Sequence, residues 1–131
     1  METENSSTLP EMMREVRCEV ARRISPDRLH EMMGDEVWNV RWEVARRIDP
    51  SRLPEMMGDA YWRVRCKVAR RISSDRLHEM IWDSHWAVRL EVAQRVSNKY
   101  LGGMLMRDTH PKVLEIIRER LSTPGAYPTG V

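Results

Sequence analysis

Residues 35–58 read DEVWNVRWEVARRIDPSRLPEMMG, and the pattern returns from Asp59 and again from Asp83, so that its landmarks recur every 24 residues. Val16-Arg17, Val40-Arg41, Val64-Arg65 and Val88-Arg89 align without a gap, and each is followed by Val-Ala, at Val20-Ala21, Val44-Ala45, Val68-Ala69 and Val92-Ala93. An arginine and an aliphatic residue come next, at Arg23-Ile24, Arg47-Ile48, Arg71-Ile72 and Arg95-Val96. A second apolar group then opens at Leu29, Leu53, Leu77 and Leu101. Self-similarity at so short a period makes the chain a solenoid, in which each unit buries its apolar face only against its neighbours. A partial fifth copy runs from Asp108 through Val113 to Leu121, one residue out of phase, which puts a single insertion near Met106-Arg107.

Within residues 35–58, Val40, Val44, Ala45 and Ile48 fall at i, i+4, i+5 and i+8 and share one helix face. The spacing predicts an α-helix from about Glu36 to Ile48, with Asp35 at its start. Asp49-Pro50 ends it, because proline disfavours α geometry in the residue before it, and Ser25-Pro26 writes the same stop in the first copy. Leu53 and Met56 stand three apart, as do Leu29 and Met32, Leu77 and Met80, and Leu101 and Met104, a spacing that suits a short 3₁₀ turn. Gly102-Gly103 reads as a turn signal.

The 131 residues are one domain by length, expected to comprise an N-terminal tail (1–10), a repeat domain (11–121) and a C-terminal tail (122–131). Arginine supplies 19 of the 22 basic residues, and 20 acidic residues nearly balance them. That balance argues against a polybasic nucleic-acid protein and for repeated contacts between guanidinium forks and carboxylates or rings. Cys18 and Cys66 occupy one repeat position two units apart, roughly 16–20 Å if neighbouring helices stack ~8–10 Å apart, too far for a disulfide. Reduced cysteines, together with the lack of an apolar leader or a membrane-length apolar run, point to a cytoplasmic protein with no membrane association.

The pattern Asp-x4-Val-Arg-x2-Val-Ala-x-Arg-Ile-x-Pro-x2-Leu-x2-Met resembles the leucine-rich repeat variant family over roughly Glu11 to Leu121, with methionine often standing where that family prefers leucine. The resemblance implies an all-α, right-handed superhelical solenoid of 24-residue repeats, each one α-helix plus one 3₁₀ turn. Members of that family can carry an N-terminal cysteine cluster holding an iron–sulphur centre. Met1 to Pro10 here contains no cysteine, so the scaffold carries over and the cofactor does not.

Several recurring polar and aromatic positions are candidates for structure or binding. Arg17, Arg41, Arg65 and Arg89 lie near the middle of the apolar face, where an unpaired charge is costly. A carboxylate stands six residues before each, at Glu11, Asp35, Asp59 and Asp83, and an ion-pair ladder tying adjacent units is expected. Trp38, Trp62 and Trp86 should form a column, either as packing or as an aromatic binding strip with the exposed Arg22, Arg46 and Arg70. Tyr127 would anchor the C-terminal tail on a partner. The histidines have no zinc-type spacing, and no nucleophile, acid–base or phosphate-loop arrangement appears, so neither a metal, a cofactor nor catalysis is expected. The expected function is a non-enzymatic protein-binding module; the alternative is a nucleic-acid-binding superhelix of the HEAT type. The family's association with nitrogen-fixing bacteria implies an accessory role toward nitrogenase, in its assembly, holding or protection.

Overall fold

From the second unit onward the valine stripe is wholly withdrawn from solvent: Val40, Val64, Val88 and Val113 are each 0 % exposed, whereas Val16, on the first described helix, is 43 % exposed. This is the signature of a stack whose interior is made only where one unit meets the next. The structure is a computed structural model that describes residues 13–123. Its α-helices are α1 (Arg14–Arg23), α2 (Trp38–Arg47), α3 (Trp62–Arg71), α4 (Trp86–Arg95), α5 (Leu101–Arg107) and α6 (Pro111–Leu121). Between the first four lie 3₁₀ segments at Pro26–Met32, Pro50–Met56 and Leu77–Met80, and a fourth at Asn98–Tyr100 precedes α5. Helices α1 to α4 pack in sequence and α6 closes on α4, so the core runs as one continuous row through the array. Among the described residues there is no strand.

The helices begin later than the spacing predicts. Asp35 turns its carboxylate onto the Val37 N–H at 2.9 Å, and Val37 itself is extended, so the helix opens at Trp38 rather than Glu36. The same side-chain turn recurs from Asp59 to Tyr61, Asp83 to His85 and Asp108 to His110. An aspartate that bonds its own backbone two residues on forms a local turn instead of the first helical turn. The ends of α1 to α4 are uniform: Ile24, Ile48, Ile72 and Val96 are all extended.

Proline decides the length of the 3₁₀ segment. With its φ already set and no N–H to satisfy, Pro26 or Pro50 starts the segment, which then spans seven residues. The third unit has Ser74 in that place, and its 3₁₀ segment shrinks to four residues.

The inserted residue of the fourth unit changes the hydrogen-bond register. In the first three units the aspartate N–H returns to the methionine three residues back, as Asp35 to Met32, Asp59 to Met56 and Asp83 to Met80. Asp108 returns to Met104, four back, and the segment Leu101–Arg107 is α-helical. Gly102 and Gly103, read from sequence as a turn, therefore lie inside α5, both exposed. Leu101 and Met104 keep their places in the core despite the change.

At the C-terminus the expected tail begins with a cap. The Ser122 and Thr123 hydroxyls both donate to the Glu119 carbonyl at the end of α6. Glu11, Tyr127 and the remainder of both expected tails lie outside the described residues.

Candidate protein-binding face

Two arginine ladders hold the units in register and thereby set the face that the helices present. In the first, Arg41 Nε donates to Asp59 Oδ2 at 2.8 Å and Nη2 to Oδ1 at 3.0 Å, while Nη1 donates to the Asp35 carbonyl at 2.8 Å. Arg65 makes the same fork to Asp83, with its third bond to the Asp59 carbonyl at 2.7 Å. Arg17 reaches Asp35 and Arg89 reaches Asp108 in the same way. The carboxylate partner is therefore 18 residues downstream, 19 across the insertion, and not the one six residues upstream that the sequence pattern suggests. The upstream aspartate contributes only its backbone oxygen. These pairs are nearly dry, with side-chain exposures of 12 % for Arg65 and 8 % for Asp83. Leu114 stands where the fifth copy would place an arginine.

The second ladder was not foreseen, although its residues belong to the repeat. Arg47 donates to the Ala21 carbonyl at 2.7 Å, and Arg71 to those of Ala45 and Ile48 at 2.7 and 2.8 Å. Arg95 binds the carbonyls of Ala69 and Ile72, and Arg120 those of Ala93 and Val96. The last carbonyls of a helix have no partner within it and carry the negative end of its dipole. Each guanidinium thus caps the helix of the preceding unit. Burial pulls the Arg71 guanidinium below its ordinary range, with Asp49 acting in the opposite sense.

Trp38, Trp62 and Trp86 do line up, but not in contact with one another. Each meets the ring that precedes the next helix: Trp38 with Tyr61 at 4.7 Å, Trp62 with His85 at 4.2 Å and Trp86 with His110 at 4.1 Å between centroids. The last two pairs are stacked within 10°. His85 and His110 also accept, through Nδ1, the N–H of Ala87 and Lys112, so each is a helix cap as well as a stacking partner. Burial, then the nearby Arg65, holds the His85 imidazole below its usual value. The positions of Tyr61, His85 and His110, immediately before Trp62, Trp86 and Pro111, were the available signal for this interleaving.

On the solvent side, a groove of about 460 Å³ crosses α1, α2 and α3. Trp38, Trp42 and Trp62 supply its rings, Arg22, Arg63 and Arg70 its positive charge, and Glu43 a carboxylate. Trp86 and Arg46, which the sequence grouped with these, are not among its lining residues. Arg22, Arg46 and Arg70 are 49, 42 and 53 % exposed, yet each holds a carboxylate: Arg22 both Glu19 and Glu43, Arg46 Glu43, and Arg70 Glu91. Trp42 and Arg63 were missed because neither recurs: the Trp42 position holds cysteine or leucine in the other units, at Cys18, Cys66 and Leu90. Cys18 and Cys66 are free thiols, and burial pushes the Cys66 thiol up to about 11. Among the described residues no group of histidine, cysteine or acidic side chains could hold a metal ion, and no helix is long and apolar enough to cross a membrane.

No protein-family model matches the chain, and no curated protein sequence does. Among solved structures it is similar to "a leucine-rich repeat variant with a novel repetitive protein structural motif", with a TM-score of 0.79 and 32 % identity over 88 % of this chain. The chain spans 52 % of that protein's length.

Proposed function

The chain belongs to the leucine-rich repeat variant family, and from that scaffold we propose that it is a non-catalytic protein-binding module that engages its partner through the groove across α1, α2 and α3. The observation that carries this is the convergence of Trp38, Trp42 and Trp62 with Arg22, Arg63 and Arg70 in one concave surface. Tryptophan and arginine dominate the energetics of protein interfaces, because each joins a large desolvated surface to a directional polar contact. Two ladders that lock neighbouring units keep that surface preorganised, which lowers the entropic cost of association. Arg46 sits just beside the groove, and Trp86 extends the ring column past it.

A nucleic-acid partner receives no comparable support, since the arginines of this face are largely matched by Glu19, Glu43 and Glu91. An accessory role toward nitrogenase, implied by the family resemblance, enters as one identity the partner could have; no residue of the groove selects for it. The test is site-specific photo-crosslinking in the native cells, with the reactive group at Asn39, which lines the groove, or at Glu55, on the exposed 3₁₀ side. A discrete protein adduct from Asn39 and none from Glu55 is expected. Adducts from Glu55 alone, or none from either, would remove the groove from consideration.

A further inference from the structure

The row of residues at positions 19, 43, 67 and 91 reads Glu19, Glu43, Lys67, Glu91, and the exception lies beside the groove. Glu43 shows what a carboxylate does in this row. It is 6 % exposed and takes Arg22 of the preceding unit at 3.1 Å and Arg46 of its own unit at 2.9 Å. Glu91 likewise takes Arg70 of the unit before it at 2.9 Å. Lys67 occupies the corresponding place between Arg46 and Arg70, so one rung of this charge ladder has a third cation in place of its anion. Its Nζ lies 4.8 Å from the centroid of Trp42, a ring of the groove. Arg63, which also lines the groove, lies over Trp62 at 4.8 Å. Among the described residues neither Lys67 nor Arg63 has a carboxylate within ion-pair distance.

We infer that the missing rung is supplied by the partner: the groove takes an acidic peptide segment, one of whose carboxylates docks at Lys67 between Arg46 and Arg70 while an apolar side chain packs on Trp42. The inference rests on the protein-binding role proposed above and names the chemistry of the partner. Charge complementarity commits the occupant. Every other carboxylate position in the row is filled from within the chain, and this one gap is cationic, partly buried and next to the partly buried ring of Trp42. Burial, then Arg70, Arg46 and Arg71, lowers the Lys67 ammonium from its ordinary value, with Glu91 opposing them, so an arriving carboxylate relieves a repulsion already present in the free protein. An interface carboxylate that relieves such repulsion gains both affinity and selectivity against neutral sequences.

The test uses the full chain, a short fluorescein-labelled peptide of alternating Glu and Leu, its Gln–Leu counterpart, and a labelled oligothymidylate, with fluorescence anisotropy as the readout. The Glu–Leu peptide should bind more tightly than the Gln–Leu peptide by about tenfold or more. K67E, which writes the carboxylate of the neighbouring units into the third, should weaken the Glu–Leu peptide by at least that factor with no loss of thermal stability. K67M should fall between wild type and K67E. Equal affinity for the two peptides, no binding of the Glu–Leu peptide, or undiminished binding by K67E would overturn the inference. Tighter binding of the oligothymidylate than of the Glu–Leu peptide would overturn it in favour of a nucleic-acid strand. If the peptides fail while Asn39 still crosslinks to a protein, the groove is an interface and only the acidic character of its partner is wrong; if both fail, the protein-binding role falls with it.

Discussion

Replacing Arg65 by methionine isolates the energetics of the first ladder. Methionine keeps much of the aliphatic volume, so the change removes the fork to Asp83 and the bond to the Asp59 carbonyl without opening a large cavity. Asp83 is then left 8 % exposed with one remaining bond, from the His85 N–H at 2.9 Å. Breaking one side of a buried pair costs ~3–5 kcal/mol, because the surviving charge has lost both water and its partner. The retained His85 bond places the expected cost near the lower end, about 3 kcal/mol, and a domain of this size should melt roughly 10–15 °C lower. Urea titration followed by circular dichroism reads the stability directly. The discriminating measurement is a pair of double-mutant cycles, Arg65→Met with Asp83→Asn and Arg65→Met with Asp59→Asn. Coupling above about 1.5 kcal/mol is expected in the first cycle and near zero in the second, since Asp59 meets Arg65 only through its backbone oxygen. Strong coupling to Asp59 and none to Asp83 would refute the downstream register of the ladder. A stability within about 1 kcal/mol of wild type for Arg65→Met would refute the burial argument altogether.

Arg71→Met leaves the Ala45 and Ile48 carbonyls, both bonded by the one nitrogen Nη1, without their donor and should cost about 2 kcal/mol in urea, with Arg71→Lys recovering part of it, because an ammonium also offers several donors from one nitrogen. His85 is held neutral in the fold by burial and by Arg65 and Arg89, with Asp83 opposing and His110 adding to the effect, so its folded pKa lies below the unfolded value of 6.5. The unfolded chain then binds the proton first: stability is full above about 6.5, declines as pH falls below it, and levels off under the folded pKa. His85→Asn keeps a capping oxygen without titrating and should flatten that decline in a series of urea midpoints; an unchanged slope would exclude His85 as its source. Gly102→Ala and Gly103→Ala should each raise stability by about 0.5–1 kcal/mol, as both sites are helical with nothing within 4 Å of an added Cβ. Destabilisation by either would show that the α-turn of the fourth unit needs glycine.

A repeat of 24 residues, with its valine stripe, proline stop and Leu-x2-Met turn, was written in the chain, and it determined the alternation of α and 3₁₀ helices, the identity of the core and the place of the insertion. These properties are local: an apolar period and a proline act within a few residues of where they stand. The same locality made the buried arginines legible as needing partners, and made Trp38, Trp62 and Trp86 legible as a column. What spacing along the chain could not decide was which unit supplied each partner. Arg65 lies six residues after Asp59 and 18 before Asp83, and the choice between them follows from how far one helix is displaced against the next when they stack. The same displacement slides Tyr61 and His85 between the tryptophans, sets His110 on Trp86 and carries Arg47, Arg71, Arg95 and Arg120 onto the ends of earlier helices. The groove exists for a related reason, since Trp42 and Lys67 break the repeat where recurrence gives no signal, and become neighbours only when α2 and α3 lie side by side. Sequence period sets what each unit is; the offset between units, a property of packed helices alone, decides whom each side chain meets.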